Sequence, residues 1–261
     1  MQSNLFLNNV KKIFEKEIPE SEIFVFENID STNNYAKEYA RSSENKKSAF
    51  FIAQMQSGGR GSKGRSFSSV DGGLYMSFLL YPELKVADAV KLTCFAAVAL
   101  VETICEFTQS SPRIKWVNDI YIGNKKVAGI LTEGAFSENG NFFDYAVVGI
   151  GVNLKKRSFD NELLNIATDI ESETGVVIDI PSFAVSFAKK LSSFEESCVC
   201  EYMEKYKALS LLINKRIKVV AAENIRYGKA LSVNDDGTLR VLFDDGEVTN
   251  LSSADVSVLA T

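Results

Sequence analysis

The segment that organises this chain is Arg113-Ile-Lys-Trp-Val-Asn-Asp-Ile-Tyr-Ile-Gly-Asn-Lys-Lys-Val-Ala-Gly-Ile-Leu-Thr-Glu133. Its apolar and polar residues alternate, which predicts two strands joined by a short turn. Gly123-Asn124 supplies the turn, and the second strand begins at Lys126. Lys115 is unexpected in this apolar setting, because a lysine removed from water is costly unless an anion pairs with it. Lys115 therefore either binds a ligand anion or faces solvent on a half-exposed strand.

Composition indicates a soluble globular protein and disfavours several functions. The chain has 261 residues, of which 46% are hydrophobic and 24% charged, enough for one large domain or a domain with a small appendage. The net charge of −5 disfavours nucleic-acid binding through phosphate neutralisation. No run approaches the roughly 20 apolar residues of a membrane helix, and no secretory signal is present. We therefore expect a cytoplasmic protein without a membrane partner.

The chain contains four cysteines, no CxxC pair and no histidine. This disfavours ordinary zinc sites and histidine-based proton transfer. Cys94 and Cys105 are eleven positions apart, about three helical turns, and are predicted to share one buried helix face. Unpaired cysteines in a core suit a reducing compartment.

Hydrophobic periodicity predicts an α+β fold. The predicted helices cover residues 3–17, a helix that opens at Asp30-Ser-Thr-Asn33, and residues 87–107, 160–173 and 181–210. The predicted strands that accompany them cover residues 24–26, 49–55, 74–81 and 144–154. Beyond Asn214, short strands at 216–222, 226–233, 238–243 and 247–251 predict a small β-barrel. We therefore divide the chain into residues 1–212 and 213–261.

The glycine-rich loop, Gly58-Gly-Arg-Gly-Ser-Lys-Gly-Arg65, follows a predicted buried strand. Its backbone N–H groups would cradle an anion, although such a loop can also be a solvated turn. Its spacing fits neither a P-loop nor a dinucleotide-binding fingerprint. Gly149 and Gly151 allow a close approach of a ligand to another predicted strand. No nucleophile–base pair is visible. These features favour a nucleotide phosphate bound beside an uncharged polar ligand, with chemistry that depends on positioning and charge stabilisation.

These motifs resemble those of biotin protein ligases. Gly59-Arg-Gly-Ser-Lys-Gly-Arg65 is similar to the family's GRGxxGR loop. Lys115-Trp-Val-Asn-Asp-Ile-Tyr121, followed by Lys126-Val-Ala-Gly-Ile-Leu131, resembles the family's KWPNDxY…KxAGxL signature. Three further segments match in the family's order, namely Asp30–Asn33, Gln54–Gln56 and Gly149–Asn153. The likeness covers nearly the whole chain. It implies a class II synthetase-like mixed sheet flanked by helices, with a small C-terminal SH3-like β-barrel.

The resemblance also implies a two-step reaction. Biotin, the substrate, attacks ATP to give biotinyl-5′-AMP, and a lysine of a biotin carboxyl carrier domain of a biotin-dependent carboxylase then displaces AMP. Mg²⁺ accompanies ATP, and the sequence does not single out a metal ligand. A homodimer is compatible with the resemblance. Members that repress transcription carry an N-terminal winged helix of about 60 residues, and only 29 residues precede Asp30. We therefore expect a monofunctional ligase that binds no nucleic acid.

The resemblance assigns a role to individual residues. Lys115 and Arg60 are the implied catalytic residues. The implied biotin-binding residues are Ser31, Thr32, Asn33, Gln56, Arg60, Gly61, Ser62 and Lys115. The implied nucleotide-binding residues are Arg60, Arg65, Phe67, Asn118, Ile150 and Asn153.

Simpler interpretations exist for several of these positions. Ser31 fits a helix N-cap, Asp119 an Asx-turn and Trp116 the core. Asn153 would satisfy local backbone, and Lys63 and Arg65 would supply a diffuse field. Three residues depart from the family pattern: Val117 stands for proline, Phe67 for tryptophan and Ser62 for arginine.

Two other functions stay open. A lipoate–protein ligase shares the implied fold and adenylate chemistry, but the KWxND spacing and the β-rich tail favour biotin. A non-catalytic regulator derived from a ligase would need neither Lys115 nor Arg60, and both residues are present.

Overall fold

The computed structural model describes residues 2–159, 162–221 and 224–259. The helices in those ranges are α1 (Gln2–Glu17), α2 (Thr32–Ser42), α3 (Ala89–Phe107), α4 (Ile170–Thr174), α5 (Ile180–Ser192) and α6 (Val199–Ala208). The first strands are β1 (Glu22–Ile29), β2 (Ala49–Gln56), β3 (Gly73–Leu80), β4 (Arg113–Lys115), β5 (Asp119–Ile122), β6 (Lys125–Phe136) and β7 (Phe143–Asn153). The remaining strands are β8 (Arg216–Ala221), β9 (Asn224–Val233), β10 (Leu239–Phe243), β11 (Val248–Leu251) and β12 (Asp255–Val258).

The first seven strands form one mixed sheet in the order β1-β2-β3-β7-β6-β5-β4. β1 and β2 are parallel, and every other neighbouring pair is antiparallel. Because alternate side chains point to opposite faces of a strand, the sheet packs against α3 on one face and α2 on the other. The predicted α+β class, with a mixed sheet flanked by helices, is confirmed.

The segment from Arg113 to Glu133 forms three strands, not the two predicted. β4 and β5 are antiparallel and are joined by residues 116–118. The Asn118 side-chain amide donates to the Ile130 carbonyl oxygen at 2.7 Å, and the Ile130 N–H donates back to the Asn118 carbonyl oxygen at 2.9 Å. These bonds turn the chain toward β6, so residues 116–118 leave the strand. The Trp116–Val117 peptide is cis.

Helix α3 is the central helix of the core. Twelve of its nineteen residues are buried, so it is covered on most sides, as its apolar sequence predicts. Cys94 is buried within it, but Cys105 is exposed near its end, so the predicted shared buried face is wrong. In the part of the chain that the structure describes, no helix has the length and apolar character needed to cross a membrane.

The two helices predicted after β7 are shorter and more broken than expected. Of residues 160–173, the first two lie outside the described residues, and only α4 at the end is helical. The predicted helix 181–210 is divided into α5 and α6. Between them, the Ser193 and Ser197 hydroxyls donate to the Lys190 and Phe194 carbonyl oxygens. Such local side-chain bonds compete with the helical pattern and end α5.

The C-terminal strands form a separate antiparallel sheet in the order β11-β10-β9-β8-β12, as expected for the SH3-like domain. Residue 222 of the predicted strand 216–222 lies outside the described residues. The sequence analysis did not predict β12, because the strand has only four residues and Val256 is the only buried one. It pairs with β8 at the sheet edge. The domain boundary between residues 212 and 213 stays a prediction.

Candidate active site

A cavity of about 650 Å³ lies between the α2 face of the large sheet, the glycine-rich loop and the C-terminal sheet. Every residue predicted to bind biotin or the nucleotide lines this cavity. These residues come from five separate parts of the sequence: the start of α2, the end of β2, the glycine-rich loop, the β4–β5 turn and the end of β7. The fold therefore brings the predicted site residues together. The role of each residue stays a proposal.

The polar end of the cavity consists of Ser31, Thr32, Asn33 and Gln56. Ser31 caps α2 by accepting a hydrogen bond from the Asn34 N–H, so its predicted capping role is present. The Thr32 N–H donates to Gln56 Oε1 at 2.8 Å. Ser31, Thr32 and Asn33 are each no more than 4% exposed. Buried groups held in this way are prepared to bond an uncharged polar ligand.

Ser77 completes the polar end and was not predicted from the sequence. Its hydroxyl is fully buried on β3, 2.6 Å from Asn33 Oδ1 and 2.7 Å from Thr32 Oγ1. Gln56 Nε2 in turn donates to Ser69 Oγ at 2.9 Å. The sequence did contain a signal for Ser77: it is a single serine in an apolar strand, and a buried hydroxyl requires hydrogen-bond partners.

Two glycines of β7 make room for side chains that line the cavity. A Cβ atom on Gly149 would collide with the Asn33 side chain, and one on Gly151 would lie 2.5 Å from the Phe67 ring. Phe67 therefore lies against the sheet at Gly151 and Gly129. This ring is the aromatic surface predicted to cover adenine.

The glycine-rich loop is tied to both sheets. Arg60 donates to Asn34 Oδ1 at 3.0 Å and lies 3.4 Å from Glu133 Oε1. Lys63 and Arg65 instead pair with Asp255 of β12, at 3.2 Å and 2.7 Å. The two loop cations predicted to supply only a diffuse field thus have a specific partner. That partner was missed because β12 itself was missed.

Lys115 lies at the cavity without an anionic partner. Among the described residues it forms no salt bridge and no side-chain hydrogen bond, and its Nζ lies 5.5 Å from the centre of the Tyr121 ring. Burial lowers the pKa of Lys115, and the nearby Asp119 carboxylate only partly opposes this effect. Lys115 is half-buried, which favours the interpretation that it binds a ligand anion over that of a lysine facing solvent.

A second lysine lines the cavity and was given no role from the sequence. Lys126 Nζ lies 2.6 Å from Asp119 Oδ1 and 5.9 Å from the centre of the Phe67 ring. Asp119 is the first residue of β5 and pairs with Lys126, so it is not the turn residue that was predicted. Lys115 and Lys126 together form the cationic end of the cavity. The sequence could have indicated Lys126 as a site residue, because it is the first residue of the KxAGxL motif.

The remaining predicted nucleotide residues differ in what they offer a ligand. The Asn153 amide nitrogen donates to the Thr168 carbonyl oxygen, but its buried Oδ1 has no partner. Local backbone bonding therefore accounts for only half of this side chain. The Asn118 amide nitrogen is already bonded within the turn. The Ile150 side chain packs in the main core on the α3 side of the sheet. It is therefore not arranged to contact a nucleotide. Trp116 is buried in the core, as predicted, and its Nε1 donates to the Gly237 carbonyl oxygen at 2.8 Å.

The residues of the cavity fit a magnesium ion carried by phosphate oxygens. Mg²⁺ is usually held by one or two carboxylates, substrate phosphates and water. No group of three Asp, Glu, His or Cys side chains suited to a metal occurs in the described ranges. Asp119 and Asp255 are the carboxylates on the cavity wall, and each is paired with a cation. Either one would serve as a single protein ligand.

Comparison with known proteins identifies similar sequences and structures. Residues 25–153 match the Biotin/lipoate A/B protein ligase family. The chain is 31% identical over 235 residues to the bifunctional ligase/repressor BirA of Bacillus subtilis, covering 88% of this chain and 72% of that protein. It is 33% identical over 159 residues to the biotin–[acetyl-CoA-carboxylase] ligase of Paracoccus denitrificans, covering 59% and 65%. The solved structure of biotin protein ligase from Aquifex aeolicus in complex with biotin and ATP aligns with a TM-score of 0.76 and 27% identity, covering 91% of this chain and 99% of that chain.

Proposed function

This chain belongs to the biotin/lipoate A/B protein ligase family and is a biotin protein ligase, and we propose that it attaches biotin to a lysine of a biotin carboxyl carrier domain through biotinyl-5′-AMP. One observation carries the proposal. A single cavity has an uncharged hydrogen-bonding end and a cationic end. That arrangement suits a substrate whose polar ring is uncharged and whose carboxylate must meet a phosphate.

In the first step, a carboxylate oxygen of biotin bonds to the α-phosphorus of ATP and pyrophosphate leaves. Negative charge gathers where the carboxylate, the α-phosphate and the leaving group meet. Lys115 forms no salt bridge with the described residues and would stabilise that charge directly, whereas Lys126 would act from its pair with Asp119. Positive groups already in place lower such a barrier because they need no reorganisation. Arg60 would hold the phosphate from the glycine-rich loop.

Mg²⁺ bound with ATP would offset the charge of the departing pyrophosphate. The protein groups described above would orient the substrate carboxylate and α-phosphate.

In the second step, the amine of the carrier lysine attacks the carbonyl carbon of the mixed anhydride, AMP leaves and a proton is released. The chain has no histidine. Both carboxylates on the cavity wall, within the residues described, are engaged by cations. We therefore infer that the amine arrives already deprotonated and that the proton is lost to water.

A biotin-dependent exchange of labelled pyrophosphate into ATP tests the first step. Label transfer from biotin to a purified carrier domain tests the second. We expect both with biotin and neither with lipoate. Exchange with lipoate alone would identify a lipoate ligase, and adenylate binding without transfer to any carrier domain would identify a non-catalytic regulator.

We also propose that this chain does not bind DNA. Its N-terminal helix α1 packs against α5 and β1 of the catalytic domain, and the net charge is −5. The ligase/repressor relative carries both functions in its name, so a direct test is needed. A mobility-shift titration with duplex DNA at low salt should show no complex, and a sequence-specific complex would contradict the proposal.

We also propose that the protein is a cytoplasmic homodimer. Leu209 and Leu211 exchange backbone hydrogen bonds with Ile114 and so cover the β4 edge of the large sheet. Across the described residues, no strand pairs with the outer edge of β1. Unpaired strand edges are suited to pairing with a second chain. Light scattering at increasing protein concentration tests this state, and a monomer at every concentration would contradict it.

A further inference from the structure

Glu133 is a charged residue of β6 to which the predictions gave no role. On β6 it shares the α2 face with Gly129 and Leu131. Its side chain is 20% exposed, and it gathers three partners on one carboxylate. Asn33 Nδ2 donates to Oε2 at 2.9 Å, Lys37 Nζ donates to Oε1 at 2.9 Å, and an Arg60 guanidinium nitrogen lies 3.4 Å from Oε1. Glu133 thus touches both the polar end of the cavity and the glycine-rich loop.

The Glu133 carboxyl is charged at neutral pH. Burial opposes ionisation, but the hydrogen bonds from Asn33 and Lys37 outweigh it and hold the pKa of this carboxyl below its usual value. An ionised carboxylate can only accept hydrogen bonds. Its partners must therefore all present donors to it.

This requirement fixes the orientation of the Asn33 amide. With Nδ2 directed at Glu133, Oδ1 faces Ser77 and must accept the Ser77 hydroxyl proton. The Ser77 hydroxyl also lies 2.7 Å from Thr32 Oγ1, and the Thr32 hydroxyl in turn donates to Gln56 Oε1 at 3.1 Å. The carboxylate thereby orients the Asn33 amide so that its oxygen faces Ser77.

Glu133 also restrains the loop. Among the described residues, the Arg60 side chain makes two polar contacts, one with Asn34 of α2 and one with Glu133 of β6. Arg60 is the more exposed partner of this ion pair, at 46% against 20%. The half-buried carboxylate is therefore the fixed end of the pair, and the more exposed arginine is the end that can move.

We propose that Glu133 is a positioning residue that holds Arg60 and Asn33 on one carboxylate and so links the glycine-rich loop to the polar end of the cavity. The inference rests on the proposed function. Asn33, assigned to biotin, and Arg60, assigned to the adenylate, are thus held by the same carboxylate.

The test compares Glu133→Gln with Asp144→Asn. Gln keeps the shape of the side chain but loses the charge that holds Arg60 and Lys37. Asp144 is a matched control, because it is an ion-paired carboxylate on the neighbouring strand β7, bonded to Lys46 at 2.9 Å and absent from the cavity wall. Loss of one charged hydrogen-bond anchor corresponds to a change on the order of 10-fold.

In the exchange reaction, Glu133→Gln should raise the KM for biotin and speed release of free biotinyl-5′-AMP, each about 10-fold. A melting curve checks that the variant still folds, because Lys37 loses its anionic partner. In an Arg60→Ala background, Glu133→Gln should raise the KM again but add little to adenylate release, because non-additivity marks residues that act together. Asp144→Asn should change neither quantity. Normal KM and normal adenylate release in Glu133→Gln would overturn the inference.

A second measurement does not depend on activity. Hydrogen exchange of residues 58–66 in the ligand-free protein should be about 10-fold faster in Glu133→Gln than in the wild type, while exchange in β3 stays the same. If the wild type shows no biotin-dependent reaction, the proposed function fails, yet this comparison still decides the positioning role. Equal loop exchange in both proteins would refute it.

Discussion

The Asp119 carboxylate lies 2.6 Å from Lys126 Nζ, although its partner in strand register is Lys115. The carboxylate thus neutralises one of the two lysines on the cavity wall. The other keeps a positive charge that no anion among the described residues satisfies. A half-buried lysine in that state is costly for the empty protein and becomes favourable when a carboxylate or phosphate arrives.

Replacing Lys115 with Ala should reduce adenylate formation by about 10²- to 10³-fold, as for loss of one charge-stabilising donor already in place. Pyrophosphate exchange measures the loss, and a melting curve checks that the protein still folds. Lys126→Ala should also be impaired, because it leaves the Asp119 carboxylate unpaired and repelling the phosphate. Adding Asp119→Asn to Lys126→Ala should then recover part of the activity. Near-normal turnover in Lys115→Ala would remove that residue from the mechanism.

The pH dependence of the exchange reaction should identify the unpaired lysine. Burial lowers the pKa of Lys115, so the free enzyme loses this positive charge at a lower pH than an exposed lysine would. The quantity kcat/KM reports ionisations of the free enzyme and should fall on the alkaline side. Lys115→Arg should move that fall to higher pH, because a guanidinium stays charged. An identical alkaline limb in both proteins would assign it to another group.

The two β7 glycines should separate the substrates kinetically. Gly149→Ala would push against Asn33, and Gly151→Ala would push against Phe67. We expect the first variant to raise the KM for biotin and the second to raise the KM for ATP. One lost contact at each position corresponds to a change of about 10-fold. The variants serve as controls for each other, and equal effects on both KM values would show that they merely disturb the sheet.

Replacing Arg60 with Gly should release the adenylate before transfer, because the loop loses its contacts with Asn34 and Glu133. Biotinylation of bystander proteins in a mixture with the carrier domain measures this release. Lys63→Gly is the matched control, since Lys63 already has the positive φ of 58° that glycine tolerates and contacts only Asp255 within the described chain. Labelling confined to the carrier in Arg60→Gly would show that this arginine does not retain the adenylate.

The sequence predicted most of the large sheet because long apolar segments carry their own periodicity. It failed where the structure depends on contacts distant in sequence. The four-residue strand 255–258 is too short to predict by itself and is defined by its pairing with β8, and the break between α5 and α6 depends on individual serine bonds. In the site, motifs indicated which residues line the cavity. They did not indicate that Asp119 pairs with Lys126, or that Glu133 gathers Arg60 and Asn33, because side-chain pairing is decided by three-dimensional distance.

The hydrogen bond from Trp116 to Gly237 gives this protein a built-in optical probe. Trp116 is the only tryptophan of the chain, and its indole bridges the β4–β5 turn beside the cavity to the C-terminal sheet. Its emission therefore reports on the junction of the two sheets without a contribution from any other tryptophan, and no label is needed. Displacement of the C-terminal sheet would hydrate the indole and shift its fluorescence to the red. Substrate titrations and unfolding can thus be followed on the unmodified chain.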